Sequence, residues 1–341
     1  MYPELFELPF LHITVKSYGF MMVVGFVFAI ILMRKMARRI GENPENAINA
    51  ALYVLVIGVV GARIFYVIHN FKGQYADNPL SVFAVWNGGL ELLGGVILAI
   101  VFILVYLHFK KLSIRRYLDM LCTGLMMGLA FGRIGCLLNG CCFGAPTDHA
   151  CAIRFPYASP SYNSQAFPNH DRGRTEPQLS VPTEYYDYYN ANGDWISAPD
   201  SNKYYSLLKP FGTLTEQQKY EVKYGKYRAL KVHPMQLYSS ANALLLCGVL
   251  YCIWRKAALT KPGFTLASMF VLYGITRIFL EVFRDDNPFE YAWWIIYKGG
   301  TISQNIGVYM IIIGTIMFFS FAKFAKKMPV NVAKTRKNAS K

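Results

Sequence analysis

Seven apolar runs, each close to the roughly 20 residues that a helix needs to cross a hydrocarbon core, constrain this chain more than any other feature. They run Tyr18 to Met33, Ala47 to Ile68, Leu90 to Leu107, Leu118 to Leu138, Leu237 to Trp254, Phe264 to Phe283 and Ile302 to Ala322. None alternates polar and apolar residues, so each reads as a helix rather than a strand. Only 16% of the 341 residues are charged, against about a quarter in soluble domains. Disorder, collagen and coiled coil are excluded on the same ground. The expected fold is an all-α membrane protein, a seven-transmembrane-helix bundle with a periplasmic cap inserted between helices four and five.

The net charge of +15 would by itself suggest nucleic acid as a partner. Its placement argues otherwise. The segments after spans one, three, five and seven carry 18 Lys and Arg against Glu42, Glu45 and Asp119, which accounts for the entire excess. Basic residues gathered on one face mark the cytoplasmic side. The expected topology has a periplasmic N-terminus, a cytoplasmic C-terminus and a multi-pass location in the bacterial inner membrane, with no nucleic-acid partner. The first 17 residues lack a basic start and a small-residue cleavage site, so span one is expected to stay as an anchor. Four parts follow: residues 1–144 with helices one to four, an insertion at 145–232, helices five to seven at 233–323, and a basic tail at 324–341, expected to be disordered near anionic headgroups. The insertion is rich in Tyr, including Tyr185, Tyr186, Tyr188, Tyr189, Tyr204 and Tyr205. It reads either as a stabilising addition or as a lid over a site. Thr215 to Tyr227 is expected to form a short helix, with Thr215 and Gln218 as a capping box.

Ionisable residues inside spans cost several kcal/mol, roughly, unless paired or functional. Arg63, Glu91, Arg133, Arg277 and Glu281 are the exceptions, and the topology puts all five toward the outer face. Arg277 and Glu281 share one helical face, and Arg284 continues it. These residues either tie helices together or line a cavity for an anionic lipid headgroup, since a guanidinium grips phosphate with two parallel hydrogen bonds. Span four closes on Gly132-Arg133-Ile134-Gly135-Cys136-Leu137-Leu138-Asn139-Gly140-Cys141-Cys142-Phe143-Gly144. The spacing of Cys136, Cys141, Cys142 and Cys151 does not match a two-plus-two zinc pattern, so no metal is expected. A disulfide from Cys151 to Cys141 or Cys142 is the expectation instead. His233-Pro234-Met235-Gln236-Leu237-Tyr238 opens span five, and the glycine-rich run from Trp86 to Gly95 opens span three.

In that order and on that topology, these clusters resemble the prolipoprotein diacylglyceryl transferase family. GRIGCLLNGCCFG resembles its signature, HPMQLY its His-Pro-x-Gln-Leu-Tyr, and YGITRIFLEVFR its Tyr-Gly-x-x-Arg-x-x-x-Glu-x-x-Arg; Tyr18-Gly19, Arg63 and Gln304 also fit. The resemblance implies an enzyme that moves a diacylglyceryl group from phosphatidylglycerol to the lipobox cysteine thiol of a preprolipoprotein and releases glycerol 1-phosphate, without a cofactor. A catalytically degenerate lipid binder is the alternative. It further implies that Arg133 and Arg277 clamp the lipid phosphate, that Tyr273 donates to its developing charge, and that Glu281 holds an Arg fork or meets glycerol hydroxyls. Asn139 and Gly144 would shape the headgroup pocket, with Arg63, Tyr18, Arg284 and Gln304 also contacting substrate. Leu93 stands where the family usually has a His that is given the role of base. Candidate bases here are His233, Tyr273 and Glu91, the last an acid in an apolar setting that favours proton acceptance. A transporter would show an internal repeat and mid-bilayer polar groups; this sequence shows no repeat, and its polar residues gather toward one face.

Overall fold

A computed structural model describes residues 4–8, 13–71, 81–82, 89–189, 195–197, 207–289 and 300–323. A short antiparallel hairpin, β1 (Glu4–Leu8) and β2 (Ile13–Lys16), leads into α1 (Ser17–Ile40). Then come α2 (Pro44–Asn70), α3 (Leu92–Phe109) and α4 (Ile114–Asn139). The insertion carries α5 (Pro160–Ala166), β3 (Tyr186–Tyr189), β4 (Trp195–Ser197), β5 (Leu207–Leu208) and α6 (Glu216–Lys223). The chain continues through α7 (Met235–Ala257), α8 (Phe264–Glu281) and α9 (Ile302–Lys323). Among the described residues, seven helices, α1 to α4 and α7 to α9, are long and apolar enough to cross a membrane. Leu92, Phe109, Phe319 and Val282 are all more than 60% exposed. Lipid is the solvent that makes such exposure tolerable. The protein is an all-α, seven-span membrane protein with only small sheets among the described residues.

The third helix begins at Leu92, two residues later than the apolar run, because Glu91 is extended and acts as its N-cap residue. The basic tail at 324–341, Trp86 to Gly88, Tyr204 and Tyr205 lie outside the described residues.

The chain divides into two compact units. One comprises residues 26–127, 247–269 and 314–341. Its core packs Met33, Met36, Leu107, Tyr117, Met120 and Trp254, all at most 2% exposed. Asp119, an acid inside a span, is fully buried there. It accepts hydrogen bonds from the backbone N–H of Gly263 (2.7 Å) and Leu266 (2.8 Å). These are donors of the first turn of α8 that no helical carbonyl can reach, so Asp119 caps that helix from a distance in sequence.

The other unit comprises residues 1–25, 128–246 and 270–313. Within it the insertion folds around a core of its own, built on Tyr162, Ala166, Leu179, Val181, Tyr185, Tyr186, Leu214, Val222 and Ala229. Tyr162 donates to the carbonyl of Tyr227 (2.7 Å) and Tyr186 to that of Ala166 (3.0 Å). A buried phenol needs such a partner. Burial pushes Tyr186 up to about 12. Tyr185 and Tyr186 therefore serve the insertion's core; neither is a free lid residue. The capping box of α6 is present: Thr215 Oγ1 accepts from Gln218 N (3.2 Å), and Gln218 Oε1 accepts from Thr215 N (3.0 Å). The helix stops at Lys223, short of the expected Tyr227, and the carboxylate of Glu221 receives the N–H of Lys226 (2.9 Å) just beyond it.

Candidate active site

Ten of the twelve expected site residues fall in the unit that holds the insertion: Tyr18, Arg133, Asn139, Gly144, His233, Tyr273, Arg277, Glu281, Arg284 and Gln304. Three stretches of backbone lace them together. Gly144 N donates to His233 O (3.1 Å), His233 N to Ala145 O (3.1 Å), and Ala145 N to Phe283 O (2.8 Å). The segment after α4 thus lies between the start of α7 and the end of α8. Gly144 is required for that approach: a Cβ there would sit 2.6 Å from His233 Cβ and 2.7 Å from His233 O. The glycine that closes the span-four signature joins the other two motifs.

Glu281 is the centre of charge. Its side chain is fully buried, with Arg277 Nη2 at 3.2 Å and Arg284 Nε at 3.8 Å. Thr301 Oγ1 donates to it at 3.0 Å and Asn287 Nδ2 donates to the same oxygen. A carboxylate this deep is tolerated because charge and hydrogen bonds both reach it. Of the two roles implied for Glu281, holding the arginine forks is the one the geometry displays. Arg277 Nη2 also donates to Ser303 Oγ at 2.6 Å. Arg284 meets Asp286 through two parallel bonds of 2.9 and 2.7 Å, while its Nη1 is buried without a hydrogen-bond partner among the described residues. Burial opposes the charge on Arg284, but the bonds and charge of Asp286 outweigh it and hold the guanidinium above its ordinary range. Asp286 is itself raised by burial, with the Arg284 bonds offsetting only part of the shift.

Arg133 differs from both. It is half-buried on α4, and no hydrogen bond or ion pair reaches its guanidinium among the described residues. Its charge nevertheless acts on Arg277, as does Tyr273, and on Tyr18 and Cys142. A half-buried guanidinium with no anion beside it keeps its donors open to one. Tyr18 is near the start of α1, and its Cα would lie 3.2 Å from a Cβ at Gly135. His233 keeps its backbone bonds, but its Nδ1 is buried without a partner among the described residues.

Other expected residues have structural partners. Gln304 Oε1 accepts from Thr301 N (3.2 Å) and Thr301 Oγ1 from Gln304 N (3.3 Å), a reciprocal cap at the start of α9. Arg63 and Glu91 belong to the other unit. Arg63 is buried and gives its three donor nitrogens to the carbonyls of Val82 (2.9 Å), Gly89 (3.0 Å) and Ser81 (2.9 Å). Glu91 is not in an apolar setting: its carboxylate lies 2.6 Å from His69 Nδ1 and is 29% exposed. His69, 22 residues earlier in the chain, is brought to it by α2, a pairing that span composition does not report.

The cysteines also depart from expectation. All seven are free, and Cys151 is exposed. The thiols of Cys136, Cys141 and Cys142 lie within 4.8 Å of one another. The Cys142 thiol is pulled well below its ordinary range by hydrogen bonds from Cys136 and Cys141, and further by the charges of Arg133 and Arg284. Residues that span-based reasoning missed are Asn287, Thr301 and Ser303, which attend Glu281 and Arg277, and Gln236, whose Nε2 donates to Cys141 O at 2.8 Å. Only Gln236 carried a sequence signal, as part of HPMQLY.

Fold and site define a multi-pass membrane protein with a buried cluster of arginines around one carboxylate. A family model described as prolipoprotein diacylglyceryl transferase matches residues 3–320. A protein of Escherichia fergusonii named phosphatidylglycerol–prolipoprotein diacylglyceryl transferase is 31% identical over 311 residues, covering 89% of this chain and 88% of that protein. Proteins of the same name from Escherichia coli and Shigella boydii are each 30% identical over the same shares. The chain belongs to the prolipoprotein diacylglyceryl transferase family.

Proposed function

We propose that this protein transfers the diacylglyceryl group of phosphatidylglycerol to the lipobox cysteine thiol of a preprolipoprotein, the first step of bacterial lipoprotein maturation. The sulfur attacks the glycerol carbon bonded to the phosphate oxygen. A C–S bond forms, the C–O bond breaks, and glycerol 1-phosphate leaves with the electron pair. The thiol proton passes to a base. The product is a thioether.

The observation that carries the clamp assignment is the unengaged guanidinium of Arg133, in a unit where Arg277 and Arg284 share a buried carboxylate. Arg133 takes the phosphate, and Arg277 supports it from a position fixed by Glu281 and Ser303. Negative charge grows on the leaving phosphate as the C–O bond stretches, so fixed cations there stabilise the transition state more than the ground state. Tyr273 donates to the same phosphate. Arg284, with Nη1 unpartnered, reaches the headgroup, while Asn139 and Gly144 shape its pocket. Among the candidate bases, His233 is favoured over Glu91. Its ring nitrogen lacks a partner, whereas Glu91 already faces His69.

The site faces the periplasm, with the C-terminus in the cytoplasm, because the basic excess lies on the opposite linkers. The test is incubation of purified protein with phosphatidylglycerol and a lipobox peptide, followed by mass spectrometry. Thioether-linked product from wild type and none from Arg133→Ala is expected. Binding of lipid without product from wild type would instead favour the degenerate-binder reading.

A further inference from the structure

The end of α4 folds back on itself in a way that gathers thiols. Gly140 N donates to Leu137 O (3.2 Å) and Cys141 N to Cys136 O (3.2 Å). This is the paired pattern of a helix terminated by a left-handed residue, here Gly140 at φ 74°. Cys142 follows at φ 59°, a left-handed conformation that a residue with a Cβ seldom adopts. Such strain persists only where the surroundings enforce it. Gln236 holds the carbonyl of Cys141 at 2.8 Å, and Gly144 is held by His233 two residues beyond Cys142. Side chains of adjacent residues ordinarily diverge. Here the double left-handed turn brings the neighbours Cys141 and Cys142 to Cys136, one turn back on the helix. All three sulfurs fall within 4.8 Å of one another. Zinc–sulfur bonds of about 2.3 Å at tetrahedral angles place sulfurs about 3.8 Å apart. Small side-chain rotations close that gap.

We infer that Cys136, Cys141 and Cys142 bind one zinc ion, and that its fourth, open position takes the acceptor cysteine of the protein substrate as a thiolate. The inference deepens the transfer reading above and rests on it. Three protein ligands and one open position are the arrangement of a catalytic rather than a structural zinc site. A thiol that coordinates zinc loses its proton outright. The trio therefore supplies the nucleophile in its reactive form. The three protein thiols release their protons when the metal binds, and the substrate thiol releases one more, to water or to His233. The zinc-bound sulfur then attacks the glycerol carbon, and glycerol 1-phosphate departs. The sulfur becomes a neutral thioether, a weaker ligand than a thiolate, so the product leaves the metal. Zinc with four thiolates carries a formal charge of minus two. Arg133, three residues before Cys136 on α4, offsets part of it.

The experiment uses full-length protein purified in detergent under reducing, metal-free conditions and titrated with cobalt(II) as a spectroscopic substitute for zinc. Expected are one cobalt per chain, thiolate-to-cobalt charge-transfer bands, and displacement by equimolar zinc. Cys136→Ser, Cys141→Ser and Cys142→Ser should each weaken binding at least about 100-fold, more than loss of an outer partner does. Cys151→Ser, at an exposed thiol outside the trio, should leave it unchanged. In a second arm, zinc-free protein should lose transfer to a lipobox peptide about 100-fold and regain it with zinc. Absence of stoichiometric cobalt binding, or a full transfer rate without metal, overturns the inference and leaves the transfer reading intact. A thiolate–cobalt spectrum with no transfer in either state overturns the transfer reading and the zinc-assisted step together, and upholds the thiolate site.

Discussion

Arg63 and Arg133 are both arginines inside apolar helices, one in each compact unit. Arg63 spends its guanidinium on three backbone carbonyls between α2 and α3. Arg133 has no hydrogen bond or ion pair among the described residues. The acids repeat the contrast. Asp119 is occupied by two N–H groups that open α8, whereas Glu281 is surrounded by arginines that keep further donors. A charge within a span is thus not in itself a sign of chemistry. Completeness of its hydrogen bonding separates a residue that ties helix ends from one with donors left open.

Substitutions sharpen or break that contrast. Arg133→Ala should have the largest effect on activity, lowering the rate of thioether formation by about 100-fold or more, the usual loss when a transition-state charge loses its partner. Its melting temperature in detergent should stay near wild type, because no bond in the fold is lost. Glu281→Gln should act on both axes. It leaves Arg277 and Arg284 short of a counter-charge and should cost about 3–5 kcal/mol in stability by denaturant titration, with activity falling as the forks loosen. Arg63→Ala should reverse the pattern of Arg133→Ala. The loss of charged hydrogen bonds to buried carbonyls should cost about 2–3 kcal/mol, while transfer per folded molecule stays within a few fold. A large activity loss at wild-type stability in Arg63→Ala would erase the distinction between the two arginines. Gln304→Ala should do least, about 1 kcal/mol from a lost reciprocal cap at α9, with transfer little changed.

A pH experiment separates the insertion from the spans. Tyr186 has an ordinary value of 10.0 and is raised to about 12 by burial. The folded state holds that proton more tightly than the unfolded chain. The associated stability is therefore complete below pH 10 and is lost as pH rises toward 12. Burial also raises Tyr157, Tyr162 and Tyr185 in the same core, so Tyr186→Phe should reduce the alkaline loss by one group's share without abolishing it, read from near-ultraviolet circular dichroism.

The seven spans were legible because hydrocarbon demands long apolar helices, and the misplaced charges because hydrocarbon penalises them. The capping box at Thr215 and Gln218 was legible because both partners lie within one turn. What escaped depends on contacts remote in sequence or on backbone reversal. His69 reaches Glu91 from the preceding helix, Asn287 and Thr301 reach Glu281 from outside the span, and the left-handed turn at Gly140 and Cys142 gathers three thiols. No spacing rule encodes these. Gln304 is a different case: read as a substrate contact, it forms a reciprocal cap with Thr301 only three residues away, at a spacing that was open to view in the sequence.

The most direct test of the central claim is the rate of diacylglyceryl transfer as a function of phosphatidylglycerol concentration, measured for Arg133→Ala and Arg63→Ala beside wild type at matched folded protein. The account predicts a collapse of kcat/KM in the Arg133 variant alone. Equal rates for the Arg133 variant and wild type would contradict it.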